Sequence, residues 1–554
     1  MASTLEDKSK EELIGIIKHL KKRKKFGLVW EEKPEDVVEQ CKKELPVLEE
    51  VKDKTIAEDS NGPTNLLIEG DNYHSLSVLN YTHAGKIDVI YIDPPYNTGA
   101  RDWKYNNHFV DSNDTYRHSK WVAMMHKRLI LAKNLLKQDG VLIVTIDDNE
   151  FSSLGLLLDE IFPNKVRTTV VIKYNPAGTA RSGFSRCHEY AIYLLNPGQE
   201  INKKPAPPDI RSRNLRRNGN NSDRSDSPTM FYPIYVDKTT LKVIGVGEAP
   251  GNDFHPEKQT FEHNDRYEVW PLDENNKEKN WYYSRKRVED KGSEELVGRV
   301  VKEKVHLYFS TSNNSEQKYQ TVWTGSEYDA GAYGSSLVKE IIDTKFPFPK
   351  SLYAVRDCIK SVIKSKEAIV LDFFAGSGTT GHATMLLNKE DGGNRQFILC
   401  TNNENGIAEE ITYPRIKNTI SGYSNIEGIP ANLRYFKTSF VSKSKVSDDT
   451  RRELVKRSSE MICVRENTFE ETVDTSSFKI YKDSEHLTGI LFDLNSIDDF
   501  KKTVREQKLP ANIYVFSLTN DTYDEDFEDL GIDHNLCPIP ESILEVYRKV
   551  FRRK

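Results

Sequence analysis

The stretch IDVIYIDPPYNTG, residues 87–99, runs from an apolar segment directly into an acid, two prolines and a tyrosine. Val89, Ile90, Tyr91 and Ile92 form the short continuous apolar run of a strand buried on both faces. Pro94 and Pro95 have no backbone N–H and cannot extend a sheet ladder, so the strand ends at Asp93. A residue before proline is pushed to extended geometry, which fixes Asp93 and the Pro94 carbonyl in a stiff turn at the strand's carboxyl end. In open α/β sheets that edge is where ligands bind. Two rigid acceptors side by side, with the ring of Tyr96 close by, suit a planar ligand carrying an amino group. Taken alone, the stretch is read equally well as a strand end with a proline-rich turn.

Around it, a chain of 554 residues with 37% apolar and 10% aromatic content has room for two to four globular domains. No segment approaches the roughly 18 uninterrupted apolar residues of a membrane span, and the amino terminus is charged where a secretory signal is apolar. The expectation is a cytoplasmic protein without membrane contact. The six cysteines are scattered, which indicates neither a zinc framework nor a disulfide scaffold, and no metal is expected. The net charge of −6 argues against wholesale polyanion binding, but Lys203, Lys204, Arg211, Arg213, Arg216, Arg217 and Arg224 crowd one polar stretch. Such a local basic surface is compatible with nucleic acid and equally with a solvated loop.

Five segments follow from the pattern. Residues 1–60 read as charged helices and a linker. From 61 to 196 short apolar strands (NLLIEG, IDVIYID, GVLIVTID) alternate with amphipathic helices, the clearest spanning 121–136, which is α/β patterning with a largely parallel sheet. VRTTVVIK and HEYAIYLLN add a hairpin that closes the sheet. Residues 197–335 lose the pattern and are too long for a structureless loop, so they form a separate inserted domain. The α/β signal resumes over 336–432, and 433–554 form a small carboxyl-terminal α/β domain.

The segment AIVLDFFAGSGTTGHATMLL, residues 368–387, is a strand, a glycine turn and a helix start in that order, and Gly376, Gly378 and Gly381 satisfy G-x-G-x-x-G. That pattern supports a ribose-bearing cofactor at a helix amino terminus, without choosing between a dinucleotide of a dehydrogenase and any other. Glu404, after the next strand, can accept hydrogen bonds from ribose hydroxyls in either case. A dehydrogenase leaves Asp93-Pro94-Pro95-Tyr96 unexplained.

Together, a strand ending in Asp-Pro-Pro-Tyr and one ending in Asp-x-Phe-x-Gly-x-Gly closely resemble the amino-methylating DNA methyltransferases. The catalytic motif precedes the cofactor motif, the order of their β class, and an aspartate in first position is the form usual for adenine. IEGDNYHSLSVLN, WVAMMHKRLILAKNLLKQDGVLIVTIDDNE, HEYAIYL and FPFPKSL extend the likeness to the modification subunit of type III restriction-modification systems over roughly residues 61–430. The resemblance implies a Rossmann-like sheet that binds S-adenosylmethionine, with 197–335 as target-recognition domain. It implies adenine-N6 methylation in duplex DNA, with cytosine-N4 methylation or a binding-only specificity subunit as alternatives. It assigns catalysis to Asp93, Pro94, Pro95 and Tyr96, and the cofactor to Asp71, Lys350, Phe374, Gly376, Gly378, Thr379 and Glu404, with Lys350 and Thr379 near the methionine carboxylate. Phe184, or another aromatic near HEYAIYL, is a candidate to cover the second face of the base. Arg211, Arg213, Arg216, Arg217, Arg285, Lys286 and Arg287 are the DNA-binding candidates, and a homodimer and an ATP-dependent restriction subunit are the implied partners.

Overall fold

The computed structural model describes residues 9–10, 13–14, 30–31, 33–59, 62–178, 183–205, 213–301, 304–309, 316–344, 346–444, 446–519, 521 and 523–552. The chain forms two compact units, one of residues 1–202 and 320–554 and one of Lys203–Tyr319. Among the described residues no helix is long and apolar enough to cross a membrane.

The first unit is built on an 11-stranded sheet. Its strands are β1 (Glu44–Glu50), β2 (Thr64–Glu69), β3 (Ile87–Ile92), β4 (Leu136–Ile146), β5 (Val166–Ile172), β6 (Glu189–Leu195), β7 (Val322–Trp323), β8 (Ile369–Asp372), β9 (Gln396–Thr401) and β10 (Asn432–Ser442), with Ile56–Ala57 paired beside β10. In space the order is β1-β10-β2-β9-β8-β3-β4-β6-β5-β7. The block from β10 to β4 is entirely parallel, whereas β6 pairs antiparallel with both β4 and β5. The main helices are α1 (Asn72–Thr82), α2 (Arg117–Leu135), α3 (Phe151–Ile161), α4 (Leu352–Lys360), α5 (Thr379–Asp391) and α6 (Tyr413–Ser421). Buried residues of β2, β3, β4 and α1–α3 share one apolar cluster, and a second cluster joins Leu67, Phe397, Leu399, Leu433 and Tyr435 to Met385 and Ile416. Apolar material therefore lies on both faces of the parallel block, which explains its uninterrupted apolar strands.

Two expectations need correction. Residues 1–60 are not only charged helices and a linker, because Glu44–Glu50 is an edge strand paired antiparallel with Ser442 to Phe436. Its Pro46 is tolerated because an edge strand can leave one side of its ladder unpaired. The same pairing shows that residues 432–442 complete the central sheet, so a carboxyl-terminal domain cannot begin at 433. The later residues do form their own five-stranded sheet in sequence order, from Glu470–Asp474 to His534–Ile539.

The second unit lies inside the insertion delimited as 197–335, whose flanks 197–202 and 320–335 pack with the first unit. It has a four-stranded antiparallel sheet (Ile234–Asp237, Val243–Val246, Thr260–Glu262 and Arg266–Val269), a hairpin of Leu296–Val301 with Lys304–Phe309, and a helix over Arg285–Glu295. Isolated aromatics in the sequence become its core: Tyr232 and Trp281 are buried with Leu215, Val236, Val269 and Leu307.

Candidate active site at the carboxyl edge of the sheet

β2, β9, β8, β3 and β4 are consecutive parallel neighbours, so their carboxyl ends lie side by side. Along that edge the chain places Asp71 after β2, Glu404 after β9, the Phe374–Gly378 turn after β8, Asp93-Pro94-Pro95-Tyr96 after β3, and Thr145 in the last turn of β4. Motifs almost 300 residues apart in sequence meet because β8 pairs directly with β3, Val370 against Val89 and Leu371 against Ile90.

Asp93 is partly exposed, with a side-chain accessibility of 25%. Its Oδ1 accepts a hydrogen bond from the Thr145 hydroxyl at 2.7 Å and pairs with Lys350 Nζ at 3.1 Å. Oδ2 accepts no hydrogen bond from the described residues, and neither does the Pro94 carbonyl. The Pro95 carbonyl differs, since Trp121 Nε1 donates to it at 2.7 Å and anchors the turn to α2. Asn97, buried in the left-handed region at φ 54°, closes the turn by donating to Glu150 Oε1 at 2.5 Å and accepting from Trp103 Nε1 at 3.0 Å. Tyr96 is half-buried, and its hydroxyl donates to Glu189 Oε2 at 2.9 Å and accepts from Lys350 Nζ.

On the neighbouring strand Asp372 is buried, with both oxygens engaged, by the Phe374 N–H at 2.9 Å and the Thr380 hydroxyl at 2.6 Å. Burial pushes its carboxyl up to about 7 against the pull of those bonds. The turn that follows passes through Gly376 at φ 49° and Gly378 at φ 78°, a left-handed geometry that side chains resist. Beneath it the buried Arg415 guanidinium donates to Ser377 Oγ at 2.9 Å and Thr379 Oγ1 at 2.7 Å, so Thr379 points into the protein. Asp71 caps α1 by accepting from the Tyr73 N–H at 2.7 Å, and Asn72 donates to the Phe373 carbonyl at 3.1 Å. Glu404 is partly exposed and paired with Lys104, from the Ala100–Tyr105 strand that follows the Asp93–Tyr96 turn.

This edge is matched by known proteins. Residues 87–412, more than half of the chain, match the family model described as DNA methylase. The chain belongs to the DNA methylase family. The Mod subunit of the type III restriction-modification enzyme EcoPI of Escherichia phage P1 is 30% identical over 407 residues, 65% of this chain and 60% of its own. The type II methyltransferase M.KpnI of Klebsiella pneumoniae is 30% identical over 387 residues, 67% of this chain and 87% of its own. The StyLTI Mod subunit of Salmonella typhimurium is 29% identical over 425 residues, 70% of this chain and 60% of its own. The chain thus spans about 60% of the length of these type III relatives.

Within this DNA methylase, the predicted residues are brought together unequally. Asp93, Pro94, Pro95 and Tyr96 meet as expected of one turn, and Asp71, Phe374, Gly376, Gly378 and Glu404 line the same edge. Lys350 stands with Asp93, Tyr96 and Glu189. Phe184 is 99% exposed and covers nothing at Tyr96. Glu189, Thr145 and Arg415 were not singled out from sequence; nor was Glu35, buried against Arg128 at 2.7 Å, where Arg128 in turn holds Asp71 at 3.2 Å.

In the second unit Arg211 lies outside the described residues. Arg213 is exposed, with its guanidinium 4.1 Å from the centroid of Tyr282, and Arg217 lies 5.5 Å from the same ring. Arg216 donates to the Leu272 carbonyl. Arg285 is paired with Glu248 at 2.6 Å, and Arg287 with Glu295 at 3.1 Å while lying over Tyr283. Lys286 is exposed. The positive charge of these candidates is therefore partly neutralised locally, and Arg213, Arg216, Arg217 and Lys286 are the candidates without a carboxylate at salt-bridge distance among the described residues.

Proposed function

We propose that this chain is a site-specific DNA methyltransferase that transfers a methyl group from S-adenosylmethionine to the exocyclic N6 amine of an adenine extruded from duplex DNA, as modification subunit of a type III restriction-modification system. The observation that supports the reading is the pair of acceptors on one rigid turn, Asp93 Oδ2 and the Pro94 carbonyl, that take no hydrogen bond from the described residues, beside the ring of Tyr96 and next to the glycine turn on the adjacent strand.

The residues present fit the cofactor. Asp71 and Glu404 offer partly exposed carboxylates for its amino and hydroxyl groups. Gly376 leaves the turn open, since a Cβ built there meets nothing nearer than the Phe346 ring at 3.6 Å. Phe374, half-buried, presents a ring at the same turn. S-Adenosylmethionine supplies an electrophilic methyl on a sulfonium.

The adenine amine is a poor nucleophile because its lone pair is delocalised into the ring. Asp93 Oδ2 and the Pro94 carbonyl accept its two N–H groups and favour a pyramidal nitrogen with a localised lone pair. That lone pair would be the nucleophile toward the sulfonium methyl that bound S-adenosylmethionine would supply, with the thioether as leaving group. The surplus proton on nitrogen passes to Asp93 Oδ2 and then to water. Because both acceptors are fixed before the base arrives, little reorganisation opposes the step. Tyr96 stacks on the extruded base, returning roughly 1–3 kcal/mol against an extrusion cost of a few kcal/mol.

Cytosine N4 presents the same amine geometry, and the aspartate in first position is what favours adenine. The type III relatives support a restriction subunit as partner, and homodimerisation stands as part of the same proposal. The test is to incubate the purified chain with mixed-sequence duplex DNA and labelled S-adenosylmethionine and to identify the modified nucleoside by mass spectrometry. N6-methyladenine is expected; N4-methylcytosine replaces the base assignment, and no methylated base in DNA contradicts the reading.

A further inference from the structure

Lys350 and Glu189 form a buried ion pair directly behind the catalytic turn, Nζ to Oε2 2.7 Å, with side-chain accessibilities of 12% and 4%. The Tyr96 hydroxyl closes the arrangement by accepting from Lys350 and donating to Glu189. From the same place Lys350 reaches Asp93 Oδ1, the oxygen that Thr145 also holds. The segment that delivers Lys350 is constrained. Phe348, 93% exposed, sits at φ 54° immediately before Pro349, a left-handed geometry that bulky residues rarely adopt. Such strain persists only where the surroundings impose it. Here Gly334 packs against the Pro349 backbone so closely that a Cβ would meet its carbonyl oxygen at 2.4 Å.

We infer that Lys350 and Glu189 are positioning residues of methyl transfer: together they fix Asp93 Oδ1 and the Tyr96 hydroxyl, so that Oδ2 is the oxygen presented to the target amine and the ring stands ready for the base. The inference rests on the methyltransferase reading above. It replaces the assignment of Lys350 to the cofactor's carboxylate with one to the target side of the site. Lys350 stays an ammonium, because burial, which lowers its pKa, is outweighed by Asp93 and Glu189. Burial raises the Glu189 carboxyl, and the ammonium opposes that rise. Of the other titratable groups facing the pair, Tyr91, Tyr96, Tyr174 and Cys358 are pushed upward and remain protonated through the acid range. Glu189, raised by burial, is left to shape an acid limb.

The experiment uses the full chain and a duplex that the wild type has been found to methylate, with cofactor affinity measured by calorimetry and the rate of transfer in single turnover across pH. Lys350→Met is expected to bind S-adenosylmethionine as the wild type does, to transfer about 100-fold more slowly, and to show its acid limb at higher pH because the buried Glu189 carboxylate loses its cation. Lys350→Arg recovers part of the rate. Glu189→Gln, nearly isosteric and informative even if Lys350→Met fails to fold, slows transfer without changing cofactor affinity. Loss of cofactor affinity in Lys350→Met or Lys350→Arg, with an unchanged rate at saturation, places Lys350 at the cofactor and overturns the inference. Unchanged rate and pH profile in Glu189→Gln overturn it too. A wild type that methylates no DNA overturns the reading on which it rests, an outcome seen before any variant is made.

Discussion

Asp93 and Asp372 end adjacent parallel strands of one sheet, each followed by a rigid turn, and their environments diverge completely. Asp93 keeps one oxygen tied by Thr145 and Lys350 and the other open. Asp372 is buried, with both oxygens spent on its own turn, through the Phe374 N–H and the Thr380 hydroxyl. The first turn is stiffened by proline, which leaves a carbonyl without competing backbone donors. The second is shaped by glycine, which lets the backbone approach a ligand. On the function proposed above, one strand end presents acceptors to a substrate; the other holds a loop in a conformation that most residues refuse.

That contrast can be broken by exchange of single groups. The largest expected effect is at Asp93: alanine there should slow methyl transfer by roughly 10²–10³-fold, the scale of losing one preorganised polar contact at a reacting centre, with cofactor affinity retained. At Gly378, alanine must adopt φ 78° and meets Thr412 Cγ2 at 3.2 Å, so cofactor affinity should fall by the equivalent of about 1–3 kcal/mol while transfer at saturating cofactor stays near the wild-type rate. Titration calorimetry beside single-turnover kinetics separates the two. Tyr96 subdivides the catalytic side. Tyr96→Ala should weaken DNA binding by about 1–3 kcal/mol through lost stacking, and Tyr96→Phe, which keeps the ring and loses the bonds to Glu189 and Lys350, should cost less.

The two turns were readable in sequence because each is a local device, written in Pro-Pro or in glycines immediately after an apolar strand. What stabilises them is not local. Lys350 and Tyr96 are 254 positions apart, and Lys350 and Glu189 161, and nothing around Glu189 in HEYAIYL distinguishes a buried partner from an exposed strand-start acid. Glu44–Glu50 escaped notice because ELPVLEE is short, charged and interrupted by proline, and becomes a strand only against residues 436–442. The basic residues were visible as charge, whereas their neutralisation was not: Arg285 meets Glu248, 37 positions away, and Arg287 meets Glu295 at the far end of its own helix.

The smallest expected effect is on stability and has a defined sign. Because burial raises the Asp372 carboxyl to about 7 in the folded chain from an ordinary value near 4, the folded state holds a proton that the unfolded state has released between those limits. Its contribution is complete below about pH 4 and declines, by an amount on the order of a few kcal/mol, as pH rises through 7. Asp372→Asn keeps a carbonyl for the Phe374 N–H and an amide for Thr380 and should flatten that decline. Chemical denaturation of both proteins at pH 5 and pH 8 gives the difference; an equal loss in the two contradicts the assignment.

The division of labour at the sheet edge is tested most directly by single-turnover methyl transfer with saturating S-adenosylmethionine, comparing wild type, Asp93→Ala and Asp372→Asn on one unmethylated duplex that the wild type methylates. The account predicts that Asp93→Ala binds cofactor and does not transfer at a comparable rate, while Asp372→Asn transfers within about tenfold of wild type, a difference of roughly 1.4 kcal/mol in barrier. Transfer by Asp93→Ala at the wild-type rate would contradict it.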